Sequence, residues 1–232
     1  MIARTNSTAL ISWTSSNPAT ASFDCMGGNL LVISVFTGGA TGNITATFNG
    51  VALTQLSYVT DNSSSNHNSL LYLVNPASGS NTISVSRVGG SSSVEVTAVA
   101  YSGVDDLNPI DDSATSPGVN SSTFNGPSVT VGSADNWLIA TFRNTDNRTI
   151  TSALMTQRAF GGTVRQEHWD SDGTVAAGSQ APSYSLSSSG RFDGYTLASI
   201  NAAPTGGGSS NIKSIAGVAR ANIKSIAGVV LD

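Results

Sequence analysis

The chain has 232 residues and a net charge of −4; charged side chains make up 10% of it, and cysteine occurs once. That length suits one large all-β domain or two small ones, and either can bury a core without staples. One cysteine excludes an intrachain disulfide, no run reaches the roughly 18–20 apolar residues of a membrane span, and the sparse, net negative charge gives no phosphate-binding footprint.

The first residues, Met-Ile-Ala-Arg-Thr-Asn-Ser, contain no apolar run of signal-peptide length, which predicts synthesis in a cytoplasm. Cys25 reads as a small buried hydrophobe. "NLLVISVF" (29–36) is a continuous apolar run of strand length. "ITATFNGVALTQLSYV" (44–59) places Asn-Gly between two alternating runs, the strongest short-range hairpin signal because both turn residues take positive φ. His67, within "NSSSNHNS", reads as a loop residue. "SLLYLVNPASGSNTISVS" (69–86) is strand, turn, strand, and "SVEVTAVAYSGV" (93–104) alternates, which puts Glu95 on a solvent-facing side. Further strands follow in "PSVTVG" (127–132), "NWLIATFRN" (136–144), "GTVRQEHW" (162–169), "SYSLS" (183–187) and "GYTLASIN" (194–201).

No window carries a capped helical stripe. About ten to twelve short strands with frequent turns predict an all-β, antiparallel fold over residues 1–203, a β-sandwich or a barrel, of which the β-sandwich is the reading adopted. "NLLVISVF" and "NWLIATFR" echo one another. They are either matched central strands of opposing sheets or simply two buried strands, and the echo alone does not establish a duplication.

Chemistry-bearing motifs are scarce. His67 and His168 fit no metal-ligand spacing. The pairs Asp105-Asp106 and Asp111-Asp112 and the step Asp170-x-Asp172-Gly173 suit turns; the last resembles part of a calcium loop but lacks its bidentate glutamate. No Ser-His-Asp order, glycine phosphate loop or CxxC occurs. The expectation is therefore no enzyme, no cofactor and no metal. Trp137 reads as core, and Trp169, beside a turn, is the best candidate among the aromatics for an exposed glycan-stacking residue.

A Gly/Ser linker (204–210) leads to a tail (211–232) in which Asn-Ile-Lys-Ser-Ile-Ala-Gly-Val occurs twice, at 211–218 and 222–229. Residues 1–210 hold seven arginines and thirteen acidic residues, a net of −6, whereas residues 211–232 carry +2 and the only two lysines. The apolar positions Ile212, Ile215, Val218, Ile223, Ile226 and Val229 recur every third residue within each copy. Short extended segments and an eleven-residue helical period both remain open, although Gly217 and Gly228 each weaken a helix by about 1 kcal/mol. Such dense aliphatic residues require a partner surface, so these six, with Lys213 and Lys224, are the candidate partner-binding residues.

"TATFNGVALTQL" (45–56), "LYLVNPASGSNTISVS" (71–86) and "AVAYSGVDDLNPID" (98–111) resemble a jelly-roll-like β-sandwich domain of phage virion proteins, over roughly residues 20–200. The tail resembles the I-K-x-I-x-G-V tandem phrases of phage structural proteins. The resemblance implies a non-enzymatic virion component, a head decoration or fibre or a tail accessory protein, made in the host cytoplasm. Its implied partners are other virion proteins or sister subunits in a homo-oligomer such as a trimer, with neither nucleic acid nor a membrane involved. The alternative reading is a carbohydrate- or receptor-binding adhesin module that contacts a host surface glycan through Trp169.

Overall fold

A computed structural model describes residues 1–39, 43–60, 66–88, 93–144, 146, 148–160 and 166–204, except the ring of Trp13, and the backbone of 214–215, 218–219, 225–226 and 229–230. Every regular element among them is a β-strand. The first half contains β1 (Ala3–Thr14), β2 (Ala19–Asp24), β3 (Leu30–Gly38), β4 (Ile44–Phe48), β5 (Val51–Ala52), β6 (Thr54–Thr60), β7 (Asn66–Val74), β8 (Ser80–Arg87) and β9 (Val94–Ser102). The second contains β10 (Ile110–Asn125), β11 (Val129–Val131), β12 (Trp137–Asn144), β13 (Ile150–Ser152), β14 (Thr156–Phe160), β15 (Gln166–Asp170), β16 (Gly178–Gln180) and β17 (Ser183–Ile200). In the tail lie β18 (Ser214–Ile215), β19 (Val218–Ala219), β20 (Ser225–Ile226) and β21 (Val229–Val230).

The first half is a β-sandwich. Its inner sheet has the order β1-β9-β3-β7-β6 and its outer sheet β2-β8-β4-β5, the interleaved order of a jelly roll. The second half repeats it: the inner sheet is β10-β17-β12-β15-β14, with β13 on the first part of β17, and the outer sheet is β11-β16. The two inner sheets pack face to face.

This stacking explains the unbroken apolar run at 29–36. On β3, Leu31, Ile33 and Val35 enter the core beneath the first outer sheet, while Leu30 and Val32 enter the core between the inner sheets. On β12, Leu138, Ala140 and Phe142 face their own outer sheet, while Trp137 and Ile139 join the central core. A strand buried on both faces needs no alternation.

The echo between the two segments reflects matched positions, since β3 and β12 are the central strands of opposing sheets. Asn29 and Asn136 immediately precede them and play one role. Asn29 donates to the carbonyl of Val104 and accepts from its N–H, at 2.7 and 3.2 Å; Asn136 accepts from the N–H of Ala202 at 3.1 Å. Val104 and Ala202 form an antiparallel bridge. Its flanking bonds are reciprocal: Asp105 N–H to Asn201 O and Ala203 N–H to Gly103 O, at 2.9 and 2.8 Å. Phe36 opposes Asn68 in one ladder, and Arg143 opposes Gln166 at the same position of the other. Across the interface the Arg143 guanidinium lies 4.2 Å from the Phe36 ring centroid, and Gln166 donates to Asn68 at 2.9 Å. Equivalent residues therefore meet each other, as a pseudo-two-fold axis requires.

Several readings are corrected. Glu95 is fully buried, because β9 is covered on both faces, and it accepts the backbone N–H of Gln166 at 3.1 Å. His67 is a buried residue of β7, stacked on Tyr58 at 4.6 Å between centroids. The strands are not uniformly short: "SYSLS" and "GYTLASIN" lie on the 18-residue β17, which pairs with the 16-residue β10. β10 carries Pro117, which an edge strand tolerates. Cys25 is buried as expected, and desolvation, aided by neighbouring Asp24, pushes its thiol up to about 12.

The Asn-Gly hairpin is present, with φ of 50° at Asn49 and 78° at Gly50. The chain then leaves the outer sheet after β5, and β6 joins the inner one. Gly50→Ala forces a side chain into the left-handed region and is expected to cost about 1–2 kcal/mol, read as a lower denaturant midpoint at unchanged m-value.

Candidate functional site: the C-terminal hairpins and a groove in the second half

Each copy of the octet contributes one short antiparallel hairpin. Ser214 pairs with Ala219 and Ile215 with Val218; Ser225 pairs with Val230 and Ile226 with Val229. Two residues separate the strands in each case, Ala216-Gly217 and Ala227-Gly228. The extended reading thus describes these segments and the helical one does not. Of the candidate partner-binding residues, Ile215, Val218, Ile226 and Val229 occupy matching ladder positions, while Ile212, Lys213, Ile223 and Lys224 lie outside the described residues.

The body holds a groove that the sequence reading missed. Between equivalent ladder positions the first half runs Ile-Thr-Ala-Thr-Phe-Asn-Gly-Val-Ala-Leu-Thr-Gln (44–55), and the second runs Ile-Thr-Ser-Ala-Leu-Met-Thr-Gln (150–157), four residues shorter. The ladders fix this alignment. Ile44 pairs with Arg87 on β8 and Ile150 with Leu186 on β17; Gln55 pairs with Leu71 and Gln157 with Trp169. The segment without a counterpart is the hairpin tip, Thr47–Gly50. In the first half that tip inserts the fully buried Phe48 into the core. In the second half a groove of about 530 Å³ opens there, lined by Thr151, Leu154, Pro182, Ser183 and Ser185. An adjoining recess of about 330 Å³ reaches Met155 and Trp169. The two "ITxx…TQ" phrases were the available signal, but only strand register shows which residues correspond.

Trp169 is not the exposed platform expected of it. It lies on β15 at 3% exposure, packs edge-on against Tyr184 with 5.6 Å between centroids, and donates its indole N–H to Glu167 at 2.8 Å. The turn next to it does not expose it, because β15 sits inside the inner sheet between β12 and β14. The ring of Trp13 lies outside the described atoms.

Titratable groups concentrate instead between the inner sheets. Ser34 bonds His168 Nδ1 at 3.1 Å, His168 Nε2 bonds the Tyr101 hydroxyl at 3.0 Å, and that hydroxyl donates to Asp170 at 3.2 Å. Arg158 Nε donates to Asp170 at 2.6 Å, Arg4 lies 3.5 Å from it, and both arginines also pair with Asp172. Ser34, Tyr101, His168 and Asp170 are all at 0% exposure. This serine–histidine–tyrosine–aspartate chain offers no surface to a substrate and serves to join the two halves. Asp105 accepts the backbone N–H of Leu107 in a bend, whereas Asp111 and Asp112 lie on β10, not in a turn, and accept the backbone N–H groups of Gly132 and Thr130, which ties β10 to β11 and the residue after it. Among the described residues, no three His, Cys, Asp or Glu side chains gather as a metal site.

Comparison with protein-family models, curated proteins and solved structures finds no match. The architecture therefore defines this chain: an all-β protein of antiparallel sandwich type with a hairpin-bearing tail.

Proposed function

We propose that the chain is a non-enzymatic structural protein of a bacteriophage virion, a decoration, fibre or tail accessory component, held on the particle or on sister subunits by its C-terminal repeat. The observation that carries this reading is the repeat itself: two hairpins of one register, behind a Gly/Ser linker, carrying every lysine of an otherwise acidic chain. The linker makes engagement of the second hairpin effectively intramolecular once the first is bound. Among the described residues, the three body cores are built from Ile2 to Ala202. A chain ending at Pro204 is therefore expected to keep its thermal midpoint and to be missing from purified particles. Full occupancy of particles by the truncated chain overturns the reading.

A further inference from the structure

We infer that the groove in the second half receives a C-terminal hairpin from a second copy of this chain, replacing the tip that the second half lacks. This deepens the attachment reading above and rests on it.

The tail hairpins reproduce the missing element in register. In the first half Thr47 pairs with Ala52 and Phe48 with Val51, around Asn49-Gly50. In the tail Ser214 pairs with Ala219 and Ile215 with Val218, around Ala216-Gly217; the second copy repeats this pattern with Val230 in place of the alanine. Each is a hydroxyl residue, a large apolar residue, a two-residue connection ending in glycine, then valine and a small or β-branched residue. The likeness is confined to the tip, since Lys213 stands where β4 has Ala46. The tip is also the part absent from the second half. Docked in that register, Ile215 or Ile226 takes the place that Phe48 fills in the first half.

The donor is another copy of the chain, and each chain has two such hairpins for its one shortened half. The tail also carries +2 against a body of −6, which favours approach to a neighbouring body. The contact is head-to-tail, and it builds rings or filaments according to whether the rotation closes.

The test is light scattering on three full-length proteins. The wild type is expected to self-associate with rising concentration. Ile215→Asp/Ile226→Asp disables the tail and leaves the groove intact. Thr151→Trp, at an exposed position in the groove, fills it and leaves the tail intact; Ser185→Arg repeats that test should Thr151→Trp fail to keep the wild-type thermal midpoint. Each variant alone is expected to raise the concentration for half-association by about tenfold or more. An equimolar mixture of tail and groove variants is expected to form complexes of one groove variant with one or two tail variants and to grow no further. Groove variants that associate like the wild type, or a mixture that stays monomeric, overturn the inference. A full chain that loads particles yet stays monomeric overturns this inference alone, whereas a tail dispensable for loading overturns the reading beneath it.

Discussion

Asp170→Ala is expected to destabilise the protein by about 3–5 kcal/mol, the usual cost of leaving a buried charge without its partner. For a chain of this size that lowers the thermal midpoint by about 10 °C. Asp170 is at 0% exposure, accepts from Arg158 and Tyr101, and pairs with Arg4. Removing it leaves the guanidinium of Arg158, whose side chain is only 10% exposed, without its buried partner and with the half-exposed Asp172 alone. Asp172 touches the same two arginines, but its side chain is 55% exposed. Water screens that pair, and Asp172→Ala should cost less than about 1 kcal/mol. Combining Asp170→Leu with Arg158→Met removes both charges and is expected to recover much of the loss, since apolar replacement of a buried pair is often neutral. Calorimetry on the four proteins decides the matter: if Asp170→Ala costs no more than Asp172→Ala, the network does not hold the halves together.

That network shows where a sequence stops being readable. The all-β class, the Asn49-Gly50 turn and the buried run at 29–36 were legible because each is local chemistry: positive φ, strand-length apolar runs, alternation. Glu95, His67 and Trp169 were misplaced for one shared reason. Each sits beside polar or turn residues, and polar neighbours normally signal solvent. Here the polar residues face a second polar sheet, so Glu95 meets Gln166, and His168 meets Ser34 and Tyr101. A buried polar interface looks like surface until its partner is known. The strands β1 and β10 escaped notice because they are long, polar edges with little apolar alternation. The groove was illegible because it arises from a four-residue difference between two segments about a hundred residues apart, which only matched ladders align.

Stability is expected to fall as pH drops from about 6.5, and His168 is the main cause. The central chain has one consistent proton arrangement. The Tyr101 hydroxyl gives its proton to the Asp170 carboxylate, so its oxygen accepts from His168 Nε2–H, and His168 Nδ1 accepts from the Ser34 hydroxyl. Every group is satisfied with the imidazole neutral, and a second ring proton, on Nδ1, would force the Ser34 hydroxyl to turn from donor to acceptor. Desolvation, reinforced by Arg158 and Arg4, lowers the histidine to about 3, against an ordinary value near 6.5. The folded-state value is the depressed one, so between those limits the unfolded chain binds a proton that the native one refuses. The native state therefore loses about 1.4 kcal/mol per pH unit on acidification, about 4–5 kcal/mol across the full window, and nothing on this account above about pH 7.5. The clean interval is pH 6 to 5, above the usual carboxylate range. Chemical denaturation there should show that slope for the wild type and a nearly flat profile for His168→Gln, whose absolute stability at pH 7 is lower because the bonds to Ser34 and Tyr101 are disturbed. Parallel profiles would mean that His168 accepts its proton inside the folded protein, and the closed proton arrangement between the two halves would be wrong.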